Sequence, residues 1–311
     1  MPSICTKRAI LQRLEKKCCS EEFSKCDTEE EMIRFLEKYM EYEYDLIPQK
    51  ERMRKGSVFI AKCIGEACLT KLQNEKKFEI FSFADKLISC GEREKTRNLY
   101  NLGVILLGYH MSSSLQDLCK GFEILPKYVD HPNWEIREMS CFCIRECIKN
   151  FRQETISYLQ PWVRSENSNI RRLVSESLRP LNDMKWLRDP EENDFLLRFL
   201  HELRADPSEY VRKSVGNNLK DLSKYIPVII LDLLSAWIKE ARIEVNAGLA
   251  SMNKTKLGER NYYLIWTMKH ALRWVRERNP EYHIRIQGIL GENYLLYYNE
   301  KHNKLALPRK T

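Results

Sequence analysis

Three segments of this chain open alike, with a short polar residue and then an apolar residue followed at once by arginine: Ile136-Arg137, Ile170-Arg171 and Val211-Arg212. The apolar members are 34 and 41 residues apart, and a tryptophan follows two of them at the same distance of 26 residues, Trp162 after Ile136 and Trp237 after Val211. A period near 40 that carries helix signals marks helix pairs of which none can bury its apolar face alone, so neighbours must stack. The spacing predicts an all-α chain, a right-handed α-solenoid of HEAT-like helical repeats.

The stretch from Asp206 to Asp221 states the repeat most clearly. Asp206 is the expected N-cap, Pro207 suits a first helical position, and Glu209 stands where a capping-box carboxylate reaches back to unpaired amides. Val211, Val215, Leu219 and Leu222 then recur at helical offsets and predict one apolar stripe, while Arg212, Lys213, Asn217 and Lys220 supply a basic side. Gly216 inside such a helix costs about 1 kcal/mol relative to Ala, which implies a neighbour too close for a side chain. Arg137, Arg171 and Arg212 hold equivalent repeat positions and are expected to form a polar ladder between repeats.

Eleven glycines and eleven prolines in 311 residues, with few alternating stretches, argue against a sheet protein. The longest apolar run, Ile226 to Ile238, contains Pro227 and Asp232 and is too short to span a bilayer, and the N-terminus has no apolar signal core. The expectation is a soluble cytoplasmic monomer without a membrane partner. All eleven cysteines fall between Cys5 and Cys147 with no CxxC pair. They lack the companion ligands of a zinc site and are expected as reduced, packed thiols, with no metal and no cofactor.

Residues 1–130 hold 22 Lys and Arg against 21 Asp and Glu, whereas residues 131–311 hold 30 against 23, so +7 of the net +8 lies in the clear repeats. A basic excess on helix faces suits a polyanion. Residues 1–57 read as an N-terminal helical cap, opened by a capping box from Thr28 to Glu31, residues 58–300 as the solenoid, and residues 301–311 as a frayed tail. Within the solenoid, helices are expected over Val58–Cys68, Phe78–Ser89 and Glu94–Gly108, and from Asp189 to near Leu203.

The run from Asn169 to Pro180, that from Asp206 to Lys224, and the block Lys269-His270-Ala271-Leu272-Arg273 resemble the AlkC/AlkD superfamily of DNA alkylation repair proteins, nearer the AlkC side, over residues 60–290. The resemblance implies HEAT-like repeats that curve around double-stranded DNA. It also implies a monofunctional glycosylase that removes cationic alkylated bases such as 3-methyladenine, without metal or cofactor. Glu176 and Trp186 stand at positions matching family active-site residues, but the segment between them is two residues longer than the AlkC pattern. Superfamily members that only bind branched DNA make a non-catalytic binder the alternative, and a protein-binding HEAT scaffold is a third reading.

Excision of a base that already carries positive charge leaves little acid catalysis to do. What remains is stabilising an oxocarbenium-like sugar, for which a carboxylate and an aromatic face suffice. Glu176 and Trp186 are the first candidates, Asp183 the second acid and Glu135, beside Trp134, the third. The structural alternative for Glu176 is a pair with Arg172 or Arg179, and for Glu135 a favourable place in a helix first turn. Arg172, Arg179, Lys213, Asn217, Lys220, Lys269 and Arg273 are the expected DNA contacts, because they stand off the apolar stripe or within the family-like blocks.

Overall fold

The computed structural model of this chain describes residues 6–18, 25–52, 55–75, 78–245, 257–299 and 304–306. Two compact units divide it, Met1–Thr155 and Ile156–Thr311. In the first, α1 (Lys7–Cys18), α2 (Glu29–Asp45), α3 (Ser57–Glu75), α4 (Ile80–Arg93), α5 (Arg97–Met111), α6 (Leu115–Ile124), the single turn α7 (Pro126–Val129) and α8 (Trp134–Asn150) follow one another. Next come α9 (Arg152–Trp162), α10 (Ser168–Ser177), α11 (Asp194–Glu202), α12 (Glu209–Leu222), α13 (Pro227–Glu240), α14 (Glu259–Arg278) and α15 (His283–Leu290). The helical fold expected from the repeat spacing is the fold found.

Start signals act as sequence predicts in the first unit. The Thr28 hydroxyl accepts from Glu31 N at 3.2 Å, and the Glu31 carboxylate accepts from Thr28 N at 3.2 Å, so two amides that a helix start leaves orphaned are satisfied reciprocally. Helices α1 and α2 pack against α3, and Arg13 binds the buried Glu43 carboxylate at 2.9 and 2.6 Å. Gly108 lets α5 approach α8 closely, for a Cβ there would lie 2.9 Å from the Phe142 ring. The cysteines on α8 behave as small apolar residues: Cys141, Cys143 and Cys147 are buried, and burial raises the thiol pKa of Cys143 and Cys147. Cys5 and Cys19 lie outside the described residues.

In the second unit α10, α12 and α14 lie side by side, and α13 packs on α15 behind them. Val211, Val215, Leu219 and Leu222 of α12 are fully buried, each contributing about 1.5–3 kcal/mol by removal from water. Gly216 is needed for the close approach to α14, because a Cβ there would stand 2.4 Å from Cδ2 of His270.

Two helix starts differ from expectation. Helix α12 begins at Glu209 with Ser208 at its N-cap, and Asp206 instead accepts from Ser208 N at 2.8 Å while pairing with Arg171. Asp189 likewise does not start a helix: its carboxylate closes a turn by accepting from Glu191 N at 3.1 Å, and α11 begins at Asp194. In both places a short acidic side chain serves the turn before the helix. Lys304–Ala306 pairs antiparallel with Tyr297–Asn299. Residues 307–311 lie outside the described residues.

Among the described residues no helix is long and apolar enough to cross a membrane.

Candidate functional site

The ladder arginines share one geometry. Arg137 Nη1 donates to the carbonyls of His131 and Pro132 at 2.6 and 2.8 Å, Arg171 Nη1 to those of Ser165 and Glu166 at 2.7 and 2.9 Å, and Arg212 Nη1 to those of Asp206 and Pro207 at 2.6 and 2.8 Å. Each thus ties down the two carbonyls six and five residues behind it, in the loop that enters its own helix. Arg171 adds the rung between repeats, with Nε and Nη2 on the two Asp206 oxygens at 2.6 and 2.9 Å. Arg212 stacks over the Tyr263 ring at 3.9 Å. These guanidiniums are committed to packing. A cavity of about 530 Å³ beside this ladder is lined by Arg164, Arg171, Arg204, Asp206 and Tyr263 but by no residue of the acidic cluster around Glu176.

Glu176 sits on the last turn of α10, 9% exposed, with both oxygens engaged. Arg179 Nη1 donates to Oε1 at 2.8 Å, the Ser214 hydroxyl on α12 donates to Oε2 at 2.8 Å, and Arg172 Nη2 stands 3.7 Å from Oε2. Burial alone would raise the carboxyl pKa, but the charges of Arg179 and Arg172 and the two hydrogen bonds outweigh it and hold the group below its usual value. The acid is therefore ionised although buried.

Arg179 carries the cluster across to α12, donating to one oxygen of Asp221 from Nε and Nη2. Lys224 Nζ reaches the other oxygen at 2.9 Å, and Lys220 lies 3.4 Å away. Burial works against ionisation of Asp221 too, and the bonds from Lys224 and Arg179 overcome it. Two acids thus stand among four cations, Arg172, Arg179, Lys220 and Lys224, so the cluster keeps its carboxylates charged yet remains net positive.

Also on α12, the Asn217 amide oxygen accepts from Arg273 Nη2 at 2.8 Å and lies 2.9 Å from His270 Nε2. Arg273 Nη1 lies against the same ring, 2.9 Å from Nε2 and 3.0 Å from Nδ1. Burial and the nearby Arg273 and Lys220 push the His270 pKa down to about 2, which keeps the ring neutral as it stacks on Trp266 at 5.4 Å.

Of the expected DNA contacts, Arg172, Arg179, Asn217, Lys220 and Arg273 fall on α10, α12, α14 or the turn after α10, around this cluster, and Lys213 is exposed on α12. Lys269 is not available as a surface ligand. It is 3% exposed, and its Nζ donates inward to the carbonyls of Tyr294 and Asn293 at 3.0 and 3.3 Å. Lys269 packs instead against the segment that precedes the strand Tyr297–Asn299.

Trp186 lies in the 3-10 stretch Asn182–Arg188, partly exposed, with its ring 6.1 Å from that of Phe195. Met184 and Leu187 are fully buried beside it, and Arg188 Nε donates to Pro180 O at 3.0 Å, so the longer segment is closed into a packed turn. Asp183 is exposed in the same stretch. Glu135 belongs to the first unit, where Arg97 pairs with it at 2.5 Å and the Tyr100 hydroxyl donates to it. Among the described residues no group of three His, Cys, Asp or Glu side chains is placed to hold a metal ion.

Sequence reasoning assigned no role to Asp221 or Ser214. The signal was present: Ser214, Asn218 and Asp221 recur at offsets of four and three, a polar stripe beside the apolar one, and all three are buried. A buried polar stripe on an amphipathic helix must be matched by partners on its neighbour. Asn218 accordingly donates to Ser175 O at 2.8 Å.

Helix pairs that stack in this way define a helical-repeat protein. The chain belongs to the DNA alkylation repair enzyme family, whose pattern matches residues 65–248. Two solved structures share the fold at 21% identity: AlkD2 from Streptococcus mutans, with a TM-score of 0.50 over 79% of this chain and 99% of that one, and Pseudomonas fluorescens alkylpurine DNA glycosylase AlkC bound to DNA containing an abasic site analog. The latter has a TM-score of 0.53 over 85% of this chain and 66% of AlkC. The Bacillus subtilis (strain 168) protein YhaZ, described as uncharacterized, is 34% identical over 103 residues. That match covers 31% of this chain and 28% of YhaZ, little more than a quarter of the relative's length.

Proposed function

We propose that this chain binds double-stranded DNA through the basic side of α10, α12 and α14 and excises cationic alkylated bases of the 3-methyladenine type. The observation that carries the reading is Glu176, a buried carboxylate kept ionised inside a cluster whose net charge is positive. The surplus cations suit the phosphates, and the acid suits the sugar. As the bond between C1′ and the alkylated base breaks, its electron pair neutralises the departing base and positive charge moves to the sugar, where a fixed anion lowers the barrier. Water then adds at C1′ and loses a proton. Asp221 holds Arg179 from its far side and so sets where Glu176 points. Trp186 is proposed to supply the aromatic face. Asp183, exposed beside it, is a second acid in reach of solvent.

One feature favours a second reading, a DNA binder without chemistry. Both Glu176 oxygens already have partners, and a carboxylate saturated by Arg179, Ser214 and Arg172 can simply brace the surface that meets phosphate.

Two measurements on the intact protein test these readings. With about five phosphates neutralised, log K for a duplex should fall against log salt with a slope of about −4.5; a flat plot contradicts DNA binding altogether. Chromatography of bases freed from methylated duplex then separates the two: free 3-methyladenine supports the glycosylase, and salt-dependent binding without free base supports the binder.

A further inference from the structure

After α15 the chain turns at Gly291, passes through the 3-10 stretch Gly291–Leu295 and enters the strand Tyr297–Asn299, which packs back on α14. Beneath this segment lie two basic residues of α14, Lys269 and Arg276, 3% and 8% exposed. Neither has a carboxylate partner among the described residues. Lys269 Nζ donates to the carbonyls of Asn293 and Tyr294, and Arg276 Nη1 donates to that of Leu296 at 3.1 Å. The Arg276 guanidinium also lies over the rings of Tyr297 at 3.3 Å and Tyr294 at 4.7 Å. Three polar atoms here are buried without a hydrogen-bond partner: Arg276 Nη2 and both amide atoms of Asn293.

We propose that the segment from Gly291 to Asn299 is a strap that lifts when DNA binds and hands Lys269 and Arg276 to the phosphate backbone. Lys269, Arg273 and Arg276 recur at offsets of four and three, which sets them on one stripe of α14. Arg273, in the middle, already reaches Asn217 on α12, while the strap covers the member on either side. Under the strap these side chains have only neutral carbonyls and ring faces to meet. A phosphate offers a full charge, and a charge-assisted hydrogen bond is about twice as strong as a neutral one. The closed strap also has little of its own to hold it. A hairpin of two three-residue strands is marginal by itself, and each orphaned amide or guanidinium atom subtracts from the closed state. Lifting returns those atoms to water. Gly291 supplies the pivot: its φ of 53° suits glycine, and a Cβ there would run into the carbonyl oxygen of Val245. A duplex that binds the open form better than the closed one shifts the population toward it.

The inference rests on the DNA-binding reading above, and its test can fail separately. Hydrogen exchange read by mass spectrometry compares the intact protein alone and saturated with a blunt duplex. Backbone amides of residues 291–299 should exchange about tenfold faster in the complex, although binding ordinarily slows exchange. Unchanged or slower exchange there in a protein that binds the duplex with the expected salt slope overturns the strap and leaves the proposed function standing. Duplex affinities of Lys269→Met and Arg276→Met over a range of salt give the second readout. Each variant should bind more weakly, with the slope of log K against log salt flatter by about 0.9, the loss of one phosphate contact. Parental affinity and slope in both variants would mean that the strap stays closed over them, and would overturn the inference. Should Arg276→Met melt early, Lys269→Met decides, because it removes a buried amine without leaving an acid unpaired. An intact protein that binds no duplex overturns both the strap and the reading on which it rests.

Discussion

Arg179 donates twice to a single oxygen of Asp221, from Nε at 3.1 Å and from Nη2 at 2.6 Å, while its remaining nitrogen holds Glu176 at 2.8 Å. One guanidinium therefore bridges two buried acids on neighbouring helices, and removing it leaves both carboxylates short of compensation. Arg179→Met should destabilise the second unit by about 2–4 kcal/mol, below the cost for a fully buried pair because Arg179 keeps some access to water. Thermal denaturation should show this as a fall of several degrees. The acid limb should change as well. Both acids have depressed folded pKa values, so their contribution is present above the unfolded carboxylate values of about 4 and is lost as pH falls through the folded ones. The intact protein should lose stability steeply below about pH 4, and Arg179→Met should lose less there because less remains to lose.

The rung between Arg171 and Asp206 sets a contrast between two kinds of basic residue. Asp206→Ala removes the partner of a largely buried guanidinium and the acceptor of Ser208 N, and should cost about 2–4 kcal/mol. Lys213→Ala, on the exposed side of α12, should stay within about 0.5 kcal/mol of the parent while weakening duplex binding. Urea unfolding curves for the two variants check the assignment, and equal losses would mean the helix faces are misread.

How much of this was legible in sequence follows from what each signal encodes. The period near 40 and the apolar-Arg pairs identified the repeats because every unit must bury the same stripe, and Gly216 announced a close approach that His270 supplies. Local signals were weaker wherever an acid had two uses. Asp206 and Asp189 looked like caps, and in the fold they close turns, with Asp206 also committed to a partner 35 residues upstream that no local pattern reveals. The same holds for the site: Glu176 could be named from its context, but Asp221 entered only once α10 and α12 were side by side. Lys269 was expected at the DNA because it stands off the apolar stripe in a family-like block, and nothing local shows that the carbonyls of Asn293 and Tyr294 cover it.

Lys269 gives a prediction with the opposite pH sense. Burial, with Arg276 nearby, lowers its pKa to about 6, and two carbonyls offset only part of that cost. An unfolded lysine titrates near 10.4, so between about pH 6 and 10 the unfolded chain holds a proton that the folded chain lacks, and stability rises with pH across that window. Lys269→Met should stabilise the protein at pH 7, with the gain shrinking toward pH 10. A variant less stable than the parent at both ends would show that the ammonium is worth more to the fold than its burial costs.

Gly216→Ala should destabilise by about 1–3 kcal/mol, since the new Cβ would press on an imidazole held between Trp266, Asn217 and Arg273. A shift of the His270 ring resonances in the NMR spectrum would report the displacement directly, and an unperturbed ring with full stability would contradict the packing described for α12 and α14.

The most direct test of the account is single-turnover release of 3-methyladenine from methylated duplex DNA by the intact protein and by Glu176→Gln, which keeps the shape of the side chain and removes its charge. If the buried carboxylate stabilises the cationic sugar, release by Glu176→Gln should fall by about a hundredfold or more while duplex affinity holds or rises. Equal release rates for the two proteins would contradict the role given to Glu176.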